Sequence, residues 1–412
     1  MVHNKEYYKR IMVFVKNIIF IRPTTLVLLV LLAQVFVTTV QAKTERLTKP
    51  SPSNVVPNIQ WAGFAFLGDW NQRSTRYPYT AKIVNQKVAG GLSIIDNFLK
   101  DKLNNFSTSG YNLRPELGDL ESGKGLSMAL GISYEDVYVI PFGGDYKVSY
   151  EIGLNLVVFD FVDKKVVTVY PLRFLRNELF KHRPTKQENE KNIKSLYSGN
   201  GFNIIQKTID RMKSVVIRPS YGNYIGIRNI DISNKALEKI PRDLQRNNII
   251  KSQIAQQFEG LISKNTYTPI VPYTKGEIIG RNMAARFSNG EAYNLKLPEL
   301  DYFIDLELRK FKKKESKHHQ GFTALATVKV ETPLGNSVNV KLSNNSWVLN
   351  KMAGDGTKRA QWSIYEESLT KLLEDFSKNL AVSEPKWLKK HSATKDANEQ
   401  LNRFREILKK SQ

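Results

Sequence analysis

The segment Gly118-Asp119-Leu120-Glu121-Ser122-Gly123-Lys124 has the G-x-x-x-x-G-K spacing of a loop that cradles phosphate, but Gly125 follows it. Such a loop needs a Ser or Thr hydroxyl at that place to hold Mg²⁺, and a buried strand before it. The preceding YNLRPEL carries Pro115, which a central strand rarely accommodates. The motif therefore reads as a glycine-rich turn. His318 and His319 are adjacent on a hydrophilic hairpin after Lys312-Lys313-Lys314, and neighbouring loop residues rarely converge on one metal ion. Asp305 and Glu307 alternate on one strand face with Arg309. A glycosidase would need two carboxyl groups across a cleft, whereas charge pairing on a wet sheet face accounts for all three residues. No G-x-S-x-G elbow occurs, and with no cysteine the chain has neither thiol catalysis, disulfides nor thiolate metal sites. No catalytic constellation, metal site or cofactor is expected.

Residue types suited to contact are clearer. Trp70 precedes Arg73, Arg76 and Tyr77-Pro78-Tyr79, and aromatic rings beside guanidinium groups favour flat glycan or protein surfaces. Near the end of the chain, Lys386, Lys389, Lys390 and His391 surround Trp387-Leu388. A helix beyond Thr394 would align Ala397, Leu401, Phe404, Ile407 and Leu408 opposite Lys395, Arg403, Arg405, Lys409 and Lys410. Such a basic amphipathic helix suits an anionic membrane, a partner groove or its own domain. Trp70, Arg73, Arg76, Tyr77, Tyr79, Trp387, Lys389, Lys390 and Phe404 are thus the candidate partner-binding residues.

The elements that would position them are read from periodicity. Trp61–Leu67 is a short strand, and Ile94, Ile95, Phe98, Leu99 and Leu103 form a helical stripe behind the N-cap candidate Ser93. A short helix is expected over about 124–131, and a strand over Val137–Pro141. Val148, Tyr150, Ile152, Leu154 and Leu156 alternate with polar residues along a long strand, and Asp163-Lys164 turns into Val166–Tyr170. A helix with Ile204, Ile205, Ile209 and Met212 on one side follows the charged stretch 181–194. The order then recurs: a strand at Tyr224–Ile232, a helix through Ile250, Ile254, Phe258 and Ile262, a short strand at Pro269–Pro272, a helix over 275–287, strands over 301–311 and 322–332, a turn at Leu334-Gly335-Asn336 into Val338, Val340 and Leu342, and a closing helix with Ile364, Leu369, Leu372, Leu373 and Phe376. The expected class is α/β (α+β): two similar modules, 61–215 and 216–381, each a small mixed sheet with helices packed on it, then a basic amphipathic tail, 382–412.

Ahead of them, residues 24–40 (TTLVLLVLLAQVFVTTV) are uncharged and span about 26 Å as a helix. Basic residues precede this run, and Val40-Gln41-Ala42 has the small-x-small form of a cleavage site. Residues 1–42 read as a signal peptide or membrane anchor, and 43–60, with three prolines, as a linker. The chain of 412 residues has a formal charge of +23, a field that attracts anionic partners.

The element order is similar to that of α/β accessory modules of the cell envelope: the amino-terminal domain of the TolB translocation protein, the curli secretion channel subunit, and the lipoprotein activators of peptidoglycan synthases. The likeness rests on Phe66-Leu67-Gly68-Asp69 and Ile230-Asp231-Ile232-Ser233 closing the opening strands, and on Pro269–Tyr273 and Asp301–Phe311. The lipid-bearing cysteine of the curli and activator groups is missing, as is the propeller that follows the TolB module. The resemblance implies an envelope scaffold or assembly role; with the apolar leader, the positive charge and the lack of a catalytic constellation, the expectation is an exported, non-catalytic binding or assembly protein of the periplasm or the outer face of the inner membrane, serving secretion, motility or envelope biogenesis. Its partners would be envelope proteins or anionic envelope polymers, not nucleic acid. An extracytoplasmic glycan or peptidoglycan hydrolase and an anionic-membrane-surface protein are the alternatives.

Overall fold

The chain's strands owe their length to alternation of apolar and polar side chains. The computed structural model describes residues 46–51, 56–115, 125–218, 220–245, 249–273, 282–350 and 357–412. The strands are β1 (Asn58–Leu67), β2 (Asn112–Arg114), β3 (Leu126–Phe142), β4 (Asp145–Asp160), β5 (Lys165–Phe180), β6 (Ile225–Ile232), β7 (Asn282–Phe287), β8 (Ala292–Lys296), β9 (Tyr302–Glu315), β10 (His319–Thr332) and β11 (Gly335–Leu349). The helices are α1 (Arg73–Arg76), α2 (Thr80–Asn85), α3 (Ile94–Leu103), α4 (Lys186–Ser198), α5 (Ile204–Ser214), α6 (Asn234–Leu237), α7 (Arg242–Gln245), α8 (Ile249–Thr266), α9 (Lys358–Ala381), α10 (Pro385–His391) and α11 (Ala397–Lys410). None of these helices is long and apolar enough to cross a membrane.

The fold is mixed α/β, with two sheets and helices packed around them. The first sheet runs β2-β1-β3-β4-β5-β8-β7 and closes where β7 also pairs with β1. Here β1 is parallel to β3, and β3, β4 and β5 form an antiparallel meander. The second sheet, β11-β10-β9-β6, has the same local arrangement: β6 is parallel to β9, and β9, β10 and β11 are antiparallel.

Each sheet buries an apolar face. Ile95, Leu99 and Leu103 of α3 and Ile205, Ile209 and Met212 of α5 cover the first sheet, in one core with Phe64, Leu130, Ile152 and Leu156. The β7–β8 hairpin seals the opposite side, where Met283, Ala285, Phe287 and Leu295 meet Ala65, Ala129, Val157 and Phe159. In the second sheet, Ile304, Leu306, Ala326, Val328, Val340 and Leu342 pack under Phe258 of α8, Leu372 and Phe376 of α9 and Phe404 of α11. Ser93 caps α3, as its position predicts, and Thr185 and Glu188 form a reciprocal capping box on α4.

Two expected helices are strands. The run after Gly125 holds good helix formers (Leu126, Met128, Ala129, Leu130), yet it lies in β3. Residues 127–131 are buried, and a Cβ on Gly131 would lie 2.6 Å from Leu67 Cγ. Burial between neighbouring strands overrides the weak intrinsic preference. Of the helix expected over 275–287, residues 282–287 form β7, and the rest lie outside the described residues. The expected strand at Pro269–Pro272 amounts to one bridge, Gly226 to Val271. The turn expected at Leu334-Gly335-Asn336 sits earlier, since Thr332 and Gly335 already pair. Within 43–60, Leu47 is buried in the second core and its N–H donates to Ala381 O at 2.9 Å, while β1 already begins at Asn58. The segment 1–42 and the loop 118–124 lie outside the described residues.

Candidate functional site: an arginine–tryptophan cluster at the end of β1

The site begins where β1 stops. Gly68 has φ +91, a conformation that L side chains avoid, and its N–H donates to Ala284 O at 2.8 Å. A Cβ there would also sit 2.6 Å from Arg76 Nη1, so the bare backbone makes room for a guanidinium. Asp69 Oδ1 then accepts from Asn71 N at 2.9 Å and caps a single 3-10 turn, Trp70–Gln72, which runs on into α1. Tyr77 anchors the other end. Its ring is buried and its hydroxyl donates to Leu67 O at 2.7 Å. α2 starts on a buried carboxylate: Glu135 accepts from Tyr79 N at 2.8 Å and Thr80 N at 2.9 Å, and also from the Thr80 hydroxyl. Burial pushes the Glu135 carboxyl up to about 7, against the lowering pull of those hydrogen bonds.

This frame places Trp70, half-buried, edge-on to Phe66 at 5.7 Å between ring centroids. The Arg73 guanidinium lies 3.8 Å from the Trp70 ring centroid and donates to Trp70 O at 3.2 Å. Arg286, opposite Phe66 where β7 pairs with β1, lies 4.6 Å from the same ring. Arg76 lies over the Tyr77 ring at 5.5 Å. Neither Arg73 nor Arg286 forms an ion pair among the described residues, and Arg286 Nε is buried without a hydrogen-bond partner there. Two guanidinium groups therefore share the Trp70 ring, and a third lies over the neighbouring Tyr77. Guanidinium is planar and offers parallel donors, which matches carboxylate or phosphate oxygens. The arrangement can bind an anionic group.

The sequence candidates divide. Trp70, Arg73 and Arg76 come together; Tyr77 and Tyr79 support them, Tyr77 from within the core. Arg286, which completes the group, had no sequence signal. It comes from a hairpin far along the chain and enters only through the sheet pairing. The tail candidates lie elsewhere, on the second sheet. Phe404 is fully buried, so it supplies packing and not a contact surface. Trp387 is half-buried and stacks on His391 at 4.9 Å, whose Nδ1 is 2.9 Å from Ser343 O. Lys389 and Lys390 remain exposed. The apolar stripe of the tail faces the core.

Two other ionisable groups are paired for structural reasons. Asp305 accepts from Arg228 Nε and Nη2, Arg228 Nη1 reaches Glu331 at 2.6 Å, and Glu307 faces Lys329 at 4.0 Å. Arg309 donates to Ala326 O at 3.3 Å and Leu342 O at 3.2 Å. Charge pairing on a flat sheet face accounts for Asp305 and Glu307. Where β3–β5 meet α8, a narrow crevice is lined by Tyr134, Glu151, Arg173, Gln253 and Gln257. Glu151 pairs with Arg173, and Arg359 lies 3.8 Å from Asp136. Burial raises the Glu366 carboxyl above its ordinary range, and the neighbouring Glu151 and Asp136 add to the shift. Burial likewise lifts Asp136 to about 6.

No protein-family model matches the chain, and no curated protein is similar to it in sequence. Among solved structures, a minor lipoprotein from Acinetobacter baumannii is similar over 42% of this chain and 98% of its own length, at 10% sequence identity and a TM-score of 0.19.

Proposed function

We propose that the protein is an exported, non-catalytic binding or assembly protein of the cell envelope, and that the Trp70 cluster is where it holds an acidic group of its partner. The observation that carries this reading is the stacking of Arg73 and Arg286 on one half-exposed tryptophan, with no carboxylate among the described residues paired to either. Trp and Arg are the residue types that dominate binding energy at protein interfaces. The uncharged run 24–40 behind basic residues supports export, and the net charge of +23 supports an anionic partner. The arrangement common to the two sheets, β1 parallel to the β3–β5 meander and β6 parallel to the β9–β11 meander, supports two related modules, with residues 282–296 of the second stretch joined to the first sheet.

The test is crosslinking of the full chain in intact envelopes, compared with Trp70→Ala and an Arg73→Glu/Arg286→Glu double variant. The expected result is one recovered acidic partner whose yield falls at least about tenfold in both variants, the scale of losing one interfacial anchor. Thermal unfolding should stay within a few degrees of the parent. Equal recovery by folded variants would overturn the reading.

A further inference from the structure

The outer face of the second sheet changes character along its length. One end carries the Arg228, Asp305, Glu331, Glu307 and Lys329 ion pairs. Beyond the register shift between Leu325 and Ala326, the same face becomes purely basic. Lys310, Lys312 and Lys314 alternate along β9 opposite Leu325, Thr323 and Gly321, so they stand in one row about 7 Å apart. All three are exposed, and none is in an ion pair among the described residues. Lys313, which points the other way, takes Glu315 at 2.6 Å.

Beside this row stands the largest exposed aromatic group of the described residues. Trp347 is opposite Gly321 on β11 and is 55% exposed, and Leu349, on the same face, is 40% exposed. A Cβ on Gly321 would lie 2.9 Å from the Trp347 ring, so the indole lies flat across β10 and leans toward Lys314. The hairpin tip adds exposed Lys317, His318 and His319. Its shape is held by Asn350, whose Nδ2 donates to Ser316 O at 3.3 Å and Lys317 O at 3.0 Å.

We infer that Trp347 and Leu349, flanked by Lys310, Lys312 and Lys314, form a docking face for an anionic phospholipid surface. A soluble polyanion would match the lysines but give Leu349 nothing to bury against. A bilayer interface matches both: headgroup phosphates meet the lysines while an indole and an aliphatic chain enter the boundary with the acyl chains. This face is separate from the Trp70 cluster and does not depend on it.

The test uses the chain from Arg46 to Gln412, which holds both sheets and their cores, with vesicles of phosphatidylglycerol and phosphatidylcholine, against phosphatidylcholine alone. Expected are sedimentation with the anionic vesicles only, loss of binding as salt rises, and quenching of Trp347 by lipids brominated in the acyl chain, read as the difference between parent and Trp347→Phe. Lys312→Gln/Lys314→Gln should weaken binding about tenfold or more, at the usual contribution of a lysine near an anionic surface. Lys100→Gln/Lys102→Gln, exposed on α3 beside the first sheet, should bind as the parent does. Failure to bind anionic vesicles would overturn the inference, as would unchanged binding in Lys312→Gln/Lys314→Gln. Equal affinity for dextran sulfate with Trp347 unquenched would assign the face to soluble polyanions instead.

Discussion

Glu259 shows how one side chain can set a pH limit on the molecule. It is fully buried on α8, accepts from Tyr273 N at 2.6 Å, and leaves Oε2 without a hydrogen-bond partner among the described residues. Burial raises its carboxyl from 4.5 to about 8. Between those values the unfolded chain ionises this group and the folded chain does not. The folded state therefore holds more protons, and stability falls as pH rises through that window. Glu259→Gln should melt with the parent near pH 4.5 and above it beyond about pH 8, with a gain of a few kcal/mol. Parallel pH series of thermal unfolding check this; curves that keep a constant offset would contradict it. Nothing in the local sequence marks Glu259, which sits in an ordinary helical stripe between Phe258 and Leu261. Its isolation comes from the elements packed around α8. The same holds for Glu135: its neighbours along the chain read as a strand, and only the fold brings Tyr79 and Thr80 onto its oxygens.

At the scale of elements, periodicity was legible where one face is wet. The stripes of α3, α5 and α9 and the alternation of β10 and β11 follow from the residues alone; β4 also alternates, but its polar side is not wet, since Ser149, Glu151 and Asn155 are buried, like Ile152 and Leu154. Periodicity failed at residues 126–131 and 282–287, which are short and have too few polar residues to show which period they obey. The tail marks a different boundary. Its amphipathic pattern was plain, but a pattern does not say what the apolar face meets. Leu401, Phe404 and Leu408 are fully buried in the second core, and Arg405 Nε donates to Leu380 O at 3.1 Å. Phe404→Ala should cost about 3–5 kcal/mol in denaturant unfolding. Lys389→Gln/Lys390→Gln should stay within about 0.5 kcal/mol. A near-neutral Phe404→Ala would mean that this helix does not belong to the core.

For the whole molecule, the sequence conveys an α/β class and an order of elements, but not that the order is interleaved. Residues 282–296 follow the strand and helices of the second sheet, yet they pair with β1 and β5 of the first. No local signal encodes that return, because strand pairing is set by packing of Met283, Ala285, Phe287 and Leu295 against residues far away in the chain. A fragment ending at residue 215 should therefore keep secondary structure but lack fixed packing. Far-UV circular dichroism near that of a folded α/β protein with a flat near-UV spectrum is the expected signature. A cooperative melt of that fragment would show the hairpin to be dispensable.

The last strand of the second sheet has a timing consequence. The free edge of β11 is met by residues from the end of the chain: Ala393 N donates to Lys341 O at 3.0 Å, and Lys341 N donates to the Thr394 hydroxyl at 2.9 Å. Until those residues leave the ribosome, that edge stays open to pairing with any other strand. The first sheet likewise waits for its hairpin. Neither half can finish early, so a nascent chain lacks fixed packing and stays adhesive through most of its synthesis. A holdase bound over that interval should raise the yield of native protein more than one added after release.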